Sequence, residues 1–556
     1  MKRATRIASV LLALAMVLAL SSCGKSGGDS VAPTANPTAN PTSTPAFESV
    51  APGEYKPPAG GEATPAPEQP EATDTPQYGG VYSLTVNVSP NTLFTNYRSP
   101  GFGAIYMPAV ETLGRVDNQT NKITPHLAKS FEFDTENNIV TMKLNEGILF
   151  HDGSELTAEV VKWNLEFAMS NKLGASFYNP SSIECPDKYT VVVKFDKFFI
   201  DADVRLGQVN MYSKQAFDEH GADWLDFNPV GTGPFVFKEY VVDNRITYIR
   251  NDNYWMEGKP YVDQVDVLII FDSTAAMTAF ANGELSSYTT QDRSANDTLK
   301  AMGYQDIGKP VWTSYYLNVL SVSNKDPDDP WSNVKVRQAV MLYGLDYAEL
   351  GLLSLGDYAV PNPQLCIPGS LLYDEKITQA VQYDPEKAKQ MLAEAGYPDG
   401  FETDINAVLN VVPLATAMQD SLKKLNITAN VIELSSTDPR RTDGSLRGFV
   451  ILGGATSWDI IPRPVGSMFH PRTPTHGAHI DYPDEYERLF DLATNAKSYE
   501  ERVEYGKQLM WLAHVEECLY VNAVWQVPCV YIQDNLRDSN LDYRVARYET
   551  MWFDQD

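Results

Sequence analysis

The chain has 556 residues, with 44 Lys and Arg against 72 Asp and Glu, and therefore a net charge of −28. A single hydrophobic core stops growing at roughly 250–300 residues, so the length predicts at least two lobes. The negative charge argues against a nucleic acid partner and against electrostatic binding to anionic lipid. Aromatic residues make up 11% of the chain, which excludes disorder for most of its length.

The N-terminus has the pattern of a secretory signal. Lys2 and Arg3 precede an uncharged run from Ile7 to Leu20, and Leu20-Ser21-Ser22-Cys23 follows. The run is shorter than the roughly 20 apolar residues that span a bilayer. Its end resembles the lipobox of bacterial lipoproteins, which implies that residues 1–23 are a signal peptide whose Cys23 carries the lipid of the mature protein. An ordinary signal peptide with an incidental Cys23 is the alternative.

Residues 24–77 have the composition of a linker. They contain eleven prolines and only two aromatic residues, Phe47 and Tyr55. Such a stretch buries too little apolar surface to offset the entropy lost on ordering. We therefore expect a disordered Pro/Thr/Ala-rich tether, followed by a folded body over residues 78–556.

The folded body shows strand and helix signals in irregular alternation, which predicts an α/β fold. Helix starts are marked by Asp384-Pro385, with Gly396 at the far end, and by Ser498 with Glu501 ahead of a helix that runs towards His514. A third helix is expected over Thr274 to Asn282. The predicted strands cover residues 139–144, 190–195, 246–250 and 265–271.

Catalytic and metal-binding motifs are absent or weak. The Gly231-Thr232-Gly233-Pro234 segment is glycine-rich, but Pro234 lacks the amide that a phosphate cradle would use. Three histidines fall within ten residues, which is compatible with a transition-metal site, although a solvated loop is the simpler interpretation. We therefore predict no enzyme activity and no cofactor. The three histidines are His470, His476 and His479.

Cysteine usage allows a disulfide. After Cys23, four cysteines remain, and export to an oxidising compartment permits pairing. Cys518 and Cys529 lie eleven residues apart and are the expected pair if a disulfide forms. Free buried thiols are the alternative.

Several segments of the folded body together resemble one family, the peptide-type (family 5) bacterial extracellular solute-binding proteins, which are receptors of ATP-driven importers. The segments occur in the family's order and extend over most of residues 78–556. They are Pro125-His126-Leu127-Ala128, Phe150-His151-Asp152-Gly153, Gly231-Thr232-Gly233-Pro234, Asn253-Tyr254-Trp255, Asn282-Gly283-Glu284-Leu285, Val336-Arg337-Gln338-Ala339 and Tyr383-Asp384-Pro385-Glu386.

The resemblance implies a two-lobed, hinged fold of the type II periplasmic-binding-protein kind, with an extra subdomain inserted in lobe one. The lipobox implies lipid anchoring at the outer face of the cytoplasmic membrane, or on its periplasmic side. The family resemblance also implies a monomer that delivers its ligand to the membrane permease of an importer, and the negative charge argues against a nucleic acid partner. The expected boundaries are 78–97, 212–309 and 527–556 for lobe one, 98–211 for the inserted subdomain and 310–526 for lobe two.

The resemblance also suggests ligand contacts in lobe two. In the family's peptide receptors an aromatic residue and an Asp that pairs with the peptide α-ammonium stand where this chain has Trp458 and Asp459. Arg463 follows where the family often has an acid. Asp459 as a turn cap and Trp458 as a core residue are the alternatives.

Further ligand contacts are expected from both lobes. Aromatic residues at these places would equally suit sugar rings, so oligosaccharides compete with peptides as the expected solute, and nickel or a metal chelate comes third. A sensor or adhesin without a transport role also stays open. The further contacts are Tyr97, Arg98, Tyr315 and Trp525.

Overall fold

The computed structural model of the chain describes residues 75–96, 103–116, 122–171, 180–197, 199–308, 316–408, 411–435, 438–455, 460–473, 476–541 and 546–555. Within these ranges, no helix is both long and apolar enough to cross a bilayer.

The described residues form strands and helices in irregular order, as the sequence predicts. The strands are β1 (Val81–Val86), β2 (Glu111–Thr112), β3 (Gly114–Val116), β4 (Ile123–Pro125), β5 (Ala128–Asp134), β6 (Ile139–Leu144), β7 (Ser182–Asp187), β8 (Thr190–Lys194), β9 (Asn210–Met211), β10 (Phe235–Val241), β11 (Arg245–Arg250), β12 (Gln264–Ile269), β13 (Ser287–Thr290), β14 (Tyr316–Val322), β15 (Ala359–Val360), β16 (Glu402–Val408), β17 (Thr428–Leu434), β18 (Phe449–Ala455), β19 (Tyr520–Gln526), β20 (Cys529–Ile532), β21 (Leu536–Arg537) and β22 (Trp552–Phe553).

The helices are α1 (Ala158–Ser170), α2 (Ala202–Gly207), α3 (Lys214–His220), α4 (Ala222–Leu225), α5 (Ser273–Ala281), α6 (Arg293–Ala301), α7 (Val334–Gln338), α8 (Tyr347–Leu355), α9 (Glu375–Ala380), α10 (Pro385–Glu394), α11 (Val412–Lys423), α12 (Arg440–Asp443), α13 (His476–His479), α14 (Asp484–Thr494) and α15 (Tyr499–Trp511). Three short 3-10 helices and three π-helical segments complete the described helices: Gly103–Ile105, Pro330–Ser332 and Gly356–Tyr358, then Ala339–Gly344, Ile461–Phe469 and Leu512–Glu516.

Lobe one is built on a four-stranded sheet in the order β1-β12-β11-β10. β1 and β12 pair in parallel, although residues 87–263 lie between them along the chain, and the other pairs are antiparallel. Alternate residues of β1, namely Tyr82, Leu84 and Val86, are buried and face the core of this lobe. The antiparallel pair β13–β20 belongs to the same lobe, since Tyr82 and Ser287 share a buried hydrogen bond of 2.7 Å.

The inserted subdomain has its own four-stranded antiparallel sheet, in the order β5-β6-β8-β7. Val140, Met142 and Leu144 alternate with more exposed residues along β6, so one face of this sheet is apolar. Helix α1 packs on the sheet, and residues of α2 complete the same core. The subdomain therefore has a hydrophobic core separate from that of lobe one.

Lobe two contains a six-stranded mixed sheet in the order β15-β19-β14-β18-β16-β17. Every residue of β19 is buried, and all of β14 after Tyr316 is buried, because helices cover both faces of this sheet. Residues of α8, α10 and α11 belong to one core cluster, and residues of α14 and α15 belong to another.

The predicted elements are confirmed with small shifts at their ends. β6 covers residues 139–144 as expected, whereas β12 ends two residues earlier than predicted. Asp384 caps α10 by accepting a hydrogen bond from the Lys387 amide at 3.0 Å. At the start of α15, the Ser498 hydroxyl accepts a bond from the Glu501 amide at 3.2 Å.

The expected Cys518–Cys529 disulfide is wrong for this structure. Among the described residues, Cys185, Cys366, Cys518 and Cys529 form no disulfide, which is the alternative that the sequence left open. Cys518 lies in the core of lobe two, whereas Cys529 packs with Phe280 and Leu285 of lobe one. The two thiols therefore belong to different lobes, and the short separation along the sequence reflects the chain crossing between them.

Candidate functional site

The ends of four strands of lobe two lie side by side at one end of the sheet. β14 begins at Tyr316, which pairs with Ala455 at the end of β18 and with Gln526 at the end of β19. Ala359, the first residue of β15, pairs with the other side of Gln526. We call this row, Ala359, Gln526, Tyr316 and Ala455, the interlobe edge, because the chain passes from it directly into lobe one at β20.

Two glycines shape the interlobe edge. A Cβ on Gly453 would lie 2.3 Å from Cε1 of Tyr316, so the tyrosine ring occupies the space that a side chain there would need. A Cβ on Gly454 would lie 2.9 Å from the sulfur of Met468. The Gly453-Gly454 pair therefore allows a tyrosine ring and a flexible thioether to approach the end of β18.

Lobe one contacts lobe two beside this edge. The Gln526 side-chain amide donates a hydrogen bond of 2.8 Å to the carbonyl of Gln291 in lobe one. The Tyr358 hydroxyl donates to Asp297 Oδ1 at 2.9 Å, and Lys300 Nζ lies 4.4 Å from the centre of the Tyr358 ring. Burial, with Asp297 as acceptor, raises the pKa of Tyr358, so this phenol keeps its proton and continues to donate.

On the side of lobe one, hydrogen bonds fix the segment that ends at Asn96. The buried Asn96 amide donates to Asn164 Oδ1 at 3.0 Å and to the carbonyl of Asn210 at 2.9 Å. The Tyr212 hydroxyl accepts from the Thr95 amide at 3.0 Å. These bonds join lobe one to the inserted subdomain and fix the chain just before Tyr97 and Arg98.

The junction of lobe one and the inserted subdomain contains a buried carboxylate, Glu111. Its Oε1 contacts His126 Nε2 at 2.7 Å and accepts from the Tyr254 hydroxyl at 2.6 Å. Its Oε2 accepts from the Thr232 hydroxyl at 2.9 Å and from the Trp255 indole at 3.1 Å.

The electrostatic surroundings of Glu111 keep it ionised. Burial alone would raise the pKa of Glu111, but the hydrogen bond and charge of His126, with Tyr254 and Arg115, outweigh burial and lower it. A buried carboxylate with this many donors is a stabilising structural group, and it has no free oxygen for a reaction.

A cavity of about 460 Å³ lies beside Glu111. Among the described residues, its lining comes from lobe one and the inserted subdomain alone, so this cavity is distinct from the interlobe edge. Its charged and aromatic lining includes Tyr106, Glu111, Arg115, His126, Arg547, Tyr548 and Glu549.

The glycine-rich motif has a packing role. A Cβ on Gly231 would lie 2.1 Å from the carbonyl oxygen of Ala109, so no larger residue fits there. The Gly233 amide donates to that same carbonyl at 3.0 Å, and His151 Nε2 lies 3.0 Å from the Gly233 carbonyl. These contacts tie the motif to the inserted subdomain and leave no phosphate cradle.

Most of the predicted ligand contacts lie outside the described residues. This applies to Tyr97, Arg98, Tyr315, Trp458 and Asp459, and also to the predicted lipid-bearing residue Cys23. Along the chain, Tyr315 directly precedes β14, and Trp458 and Asp459 follow the end of β18 by three and four residues.

Trp525 and Arg463 lie within described elements of lobe two. Trp525, the penultimate residue of β19, is completely buried and packs with Leu317, Phe469 and Tyr520 in a core cluster. Its side chain therefore offers no surface to a ligand in this structure. Arg463 lies in the π-helical segment Ile461–Phe469.

The three clustered histidines do not form a metal site among the described residues. His470 packs edge-on against Phe490, with ring centres 4.7 Å apart. His479 Nε2 lies 3.1 Å from the carbonyl of Arg441, and His476 begins the short helix α13. Over the described part of the chain, no group of three or more His, Cys, Asp or Glu residues has the arrangement of a metal site.

Sequence reasoning missed one charged contact between the inserted subdomain and lobe two. Asp201 Oδ1, just before α2, lies 3.7 Å from Arg502 Nη2 in α15. Arg502 shares the buried face of its helix with Gly506 and Leu509. An arginine on such an apolar face was the sequence feature that could have indicated a buried charged contact. Nothing in the local sequence around Asp201 indicates the contact.

A family model described as "Bacterial extracellular solute-binding proteins, family 5 Middle" matches residues 122–472. The chain belongs to this family. Members of this family are substrate-binding proteins.

Two curated relatives illustrate the range of this family. Heme-binding protein A of Haemophilus influenzae is 28% identical over 357 residues, which cover 57% of this chain and 63% of the relative. A putative peptide-binding protein of an ABC transporter from Brucella ovis is 29% identical over 334 residues, covering 57% of this chain and 61% of the relative. The chain thus spans about three fifths of the length of the curated relatives it matches.

A solved structure confirms the fold class. The periplasmic binding protein DppA from Helicobacter pylori, in complex with the peptide STSA, superposes with a TM-score of 0.72 at 20% identity. The match covers 86% of this chain and 98% of that protein. The type II periplasmic-binding-protein fold expected from the sequence is therefore confirmed.

Proposed function

We propose that this family 5 protein is the solute-binding receptor of an ATP-binding-cassette importer, and that it captures peptides between its lobes and delivers them to the permease. The observation that carries the proposal is the interlobe edge. Along the chain, Tyr315 precedes Tyr316 of this row, and Trp458 and Asp459 follow its Ala455 by three and four residues. On the side of lobe one, Tyr97 and Arg98 follow Asn96, which is held by two hydrogen bonds to the inserted subdomain.

Capture would follow from the hinge. A ligand shifts the lobes towards closure only to the extent that it binds the closed arrangement more tightly than the open one. A peptide suits such a site because its charged ends and backbone amides provide fixed contacts, whereas wet pockets accept varied side chains. The Brucella relative is named a putative peptide-binding protein, and the Helicobacter protein was solved in complex with a peptide, which favours this solute class.

The setting of this receptor is part of the proposal. Residues 1–23 would be a lipoprotein signal, Cys23 the lipid-bearing residue, and residues 24–77 the tether of a monomeric receptor outside the cytoplasmic membrane. We also propose lobe boundaries at 97/98, 211/212, 309/310 and 526/527, which agree with the membership of the three sheets. Replacing Cys23 with Ala should release the protein from the membrane fraction, and retention there would contradict lipid anchoring.

The proposed anchor of the peptide is Asp459, which would pair with the α-ammonium group. Hydrogen bonds to charged groups contribute about 1.5–3 kcal/mol, so losing one should raise Kd roughly 10- to 100-fold. A thermal-shift panel of tri- to pentapeptides, with xylo- and cello-oligosaccharides and nickel alongside, would first identify a peptide that binds. Shifts from glycans or nickel, with none from peptides, would contradict the proposal.

Calorimetry then tests the anchor with paired peptides, one with a free N-terminus and one N-acetylated. The wild-type protein should prefer the free peptide by about 10-fold or more, and Asp459→Asn should remove that preference. Asp420→Asn is the matched control, because Asp420 is an exposed acid of lobe two that pairs with Lys423. Equal preference in the wild-type and Asp459→Asn proteins would rule out Asp459 as the ammonium partner.

A further inference from the structure

An ion pair connects two parts of the molecule that share no sheet. Asp201 belongs to the inserted subdomain, where residues of α2 pack in the core beneath β5-β6-β8-β7. Arg502 belongs to lobe two, where α15 packs against α14. Asp201 Oδ1 and Arg502 Nη2 lie 3.7 Å apart, and Asp201 Oδ2 accepts a hydrogen bond of 2.8 Å from Arg205 Nε.

The Arg502 guanidinium is held in place by lobe two itself. Its Nε donates to the carbonyl of Ala493 at 3.1 Å, and its Nη2 donates to the carbonyl of Thr494 at 3.2 Å. These carbonyls end α14, where the last turn of a helix lacks donors and carries partial negative charge. The guanidinium is therefore fixed in orientation before the inserted subdomain reaches it.

Both side chains of the Asp201–Arg502 ion pair are largely buried. The Arg502 side chain has no exposed surface, and that of Asp201 is only 12% exposed. A buried cation is costly without an anionic partner, whereas in an open arrangement water would solvate both groups. The ion pair therefore exists only while the inserted subdomain lies against lobe two, and an open arrangement would expose both groups to water.

We propose that Asp201 and Arg502 form a latch that holds the inserted subdomain against lobe two. This inference rests on the proposed receptor function, in which closure of the lobes retains the solute. The guanidinium of Arg502 is held ready to bind the carboxylate of Asp201. Asp201, kept in position by Arg205, moves with the inserted subdomain. The two groups are positioning residues that set how long the lobes stay together, and they need not contact the solute.

The test is hydrogen–deuterium exchange on the full chain with no solute added. Asp201→Asn should lower protection about tenfold in two segments at once, α2 and the stretch from Ala493 to Arg502, because the ion pair joins them. Asp201→Glu, which keeps the carboxylate, should retain most of the protection.

Two variants serve as controls. Arg205→Gln removes the bond within α2 but leaves Asp201 facing Arg502, so the stretch from Ala493 to Arg502 should stay protected. Glu517→Gln breaks a comparable pair inside lobe two, where Arg337 is buried and also bonds backbone carbonyls. It should leave the exchange of α2 unchanged.

Three results of the exchange experiment would overturn the latch. Protection that is unchanged in Asp201→Asn, or lost in α2 alone, would overturn the latch. Loss that spreads through β5-β6-β8-β7 would also overturn it, since Asp201 would then stabilise the inserted subdomain itself. Because no solute is present, a failure of peptides to bind would count against the proposed function and would leave this measurement interpretable.

Discussion

Replacing Glu111 with Gln should destabilise the junction between lobe one and the inserted subdomain. Gln keeps one acceptor oxygen but puts a donor amide where the other oxygen accepted hydrogen bonds. The two groups that face this amide, either His126 and Tyr254 or Thr232 and Trp255, then lose the charged acceptor to which they hydrogen-bond. Hydrogen bonds to charged groups contribute about 1.5–3 kcal/mol each, so we expect a loss of about 3–5 kcal/mol.

Urea unfolding at pH 7, followed by tryptophan fluorescence, measures this loss. Glu132→Gln is the matched control in the same subdomain, because Glu132 is exposed and its pair with Lys143 should contribute less than about 1 kcal/mol. The pKa of Glu111 is lowered in the folded protein, so its contribution is complete above the unfolded value of about 4.3 and declines as the pH falls below it. A loss no larger than that of Glu132→Gln would refute the assignment of Glu111 as the centre of the junction.

Three further predictions concern the core. Burial lowers the pKa of His514 to about 4 despite its bond to the Met510 carbonyl, so the free energy of unfolding should fall as the pH drops below 6.5. The difference in this free energy between the wild-type protein and His514→Gln should shrink by about 2 kcal/mol between pH 7 and pH 5. A constant difference would contradict the burial of His514. Alkylation of the unfolded, unreduced protein should modify Cys185, Cys366, Cys518 and Cys529, whereas protection of any two would reveal a disulfide. Trp525→Ala should cost about 3–5 kcal/mol of stability by leaving a core cavity, and a loss below about 1 kcal/mol would place this ring outside the core.

The sequence predicted elements whose local pattern decides their structure. β6 follows from strict alternation of apolar residues, and the starts of α10 and α15 follow from Asp384 and Ser498, since capping depends on a few neighbouring residues. The central strands β14 and β19 were not predicted, because strands buried on both faces show no alternation.

The site was predicted less completely, because its geometry depends on distant parts of the chain. The resemblance to the family indicated a region of lobe two, and this stays a prediction; the described strands show that Tyr316 pairs with Ala455 and Gln526, residues distant along the chain. Trp525 is fully buried in the core of lobe two, which its position near the crossing does not reveal. The contact of Asp201 with Arg502 was missed because about 300 residues separate the two along the chain and charged residues usually face solvent.

Native mass spectrometry of the full chain, purified from its own cells without unfolding, shows directly whether the protein carries peptides. We expect a population of bound masses that denaturation releases as a mixture of short peptides. A single released species with the mass of an oligosaccharide, or a bound metal chelate, would contradict the peptide receptor and identify the competing solute class.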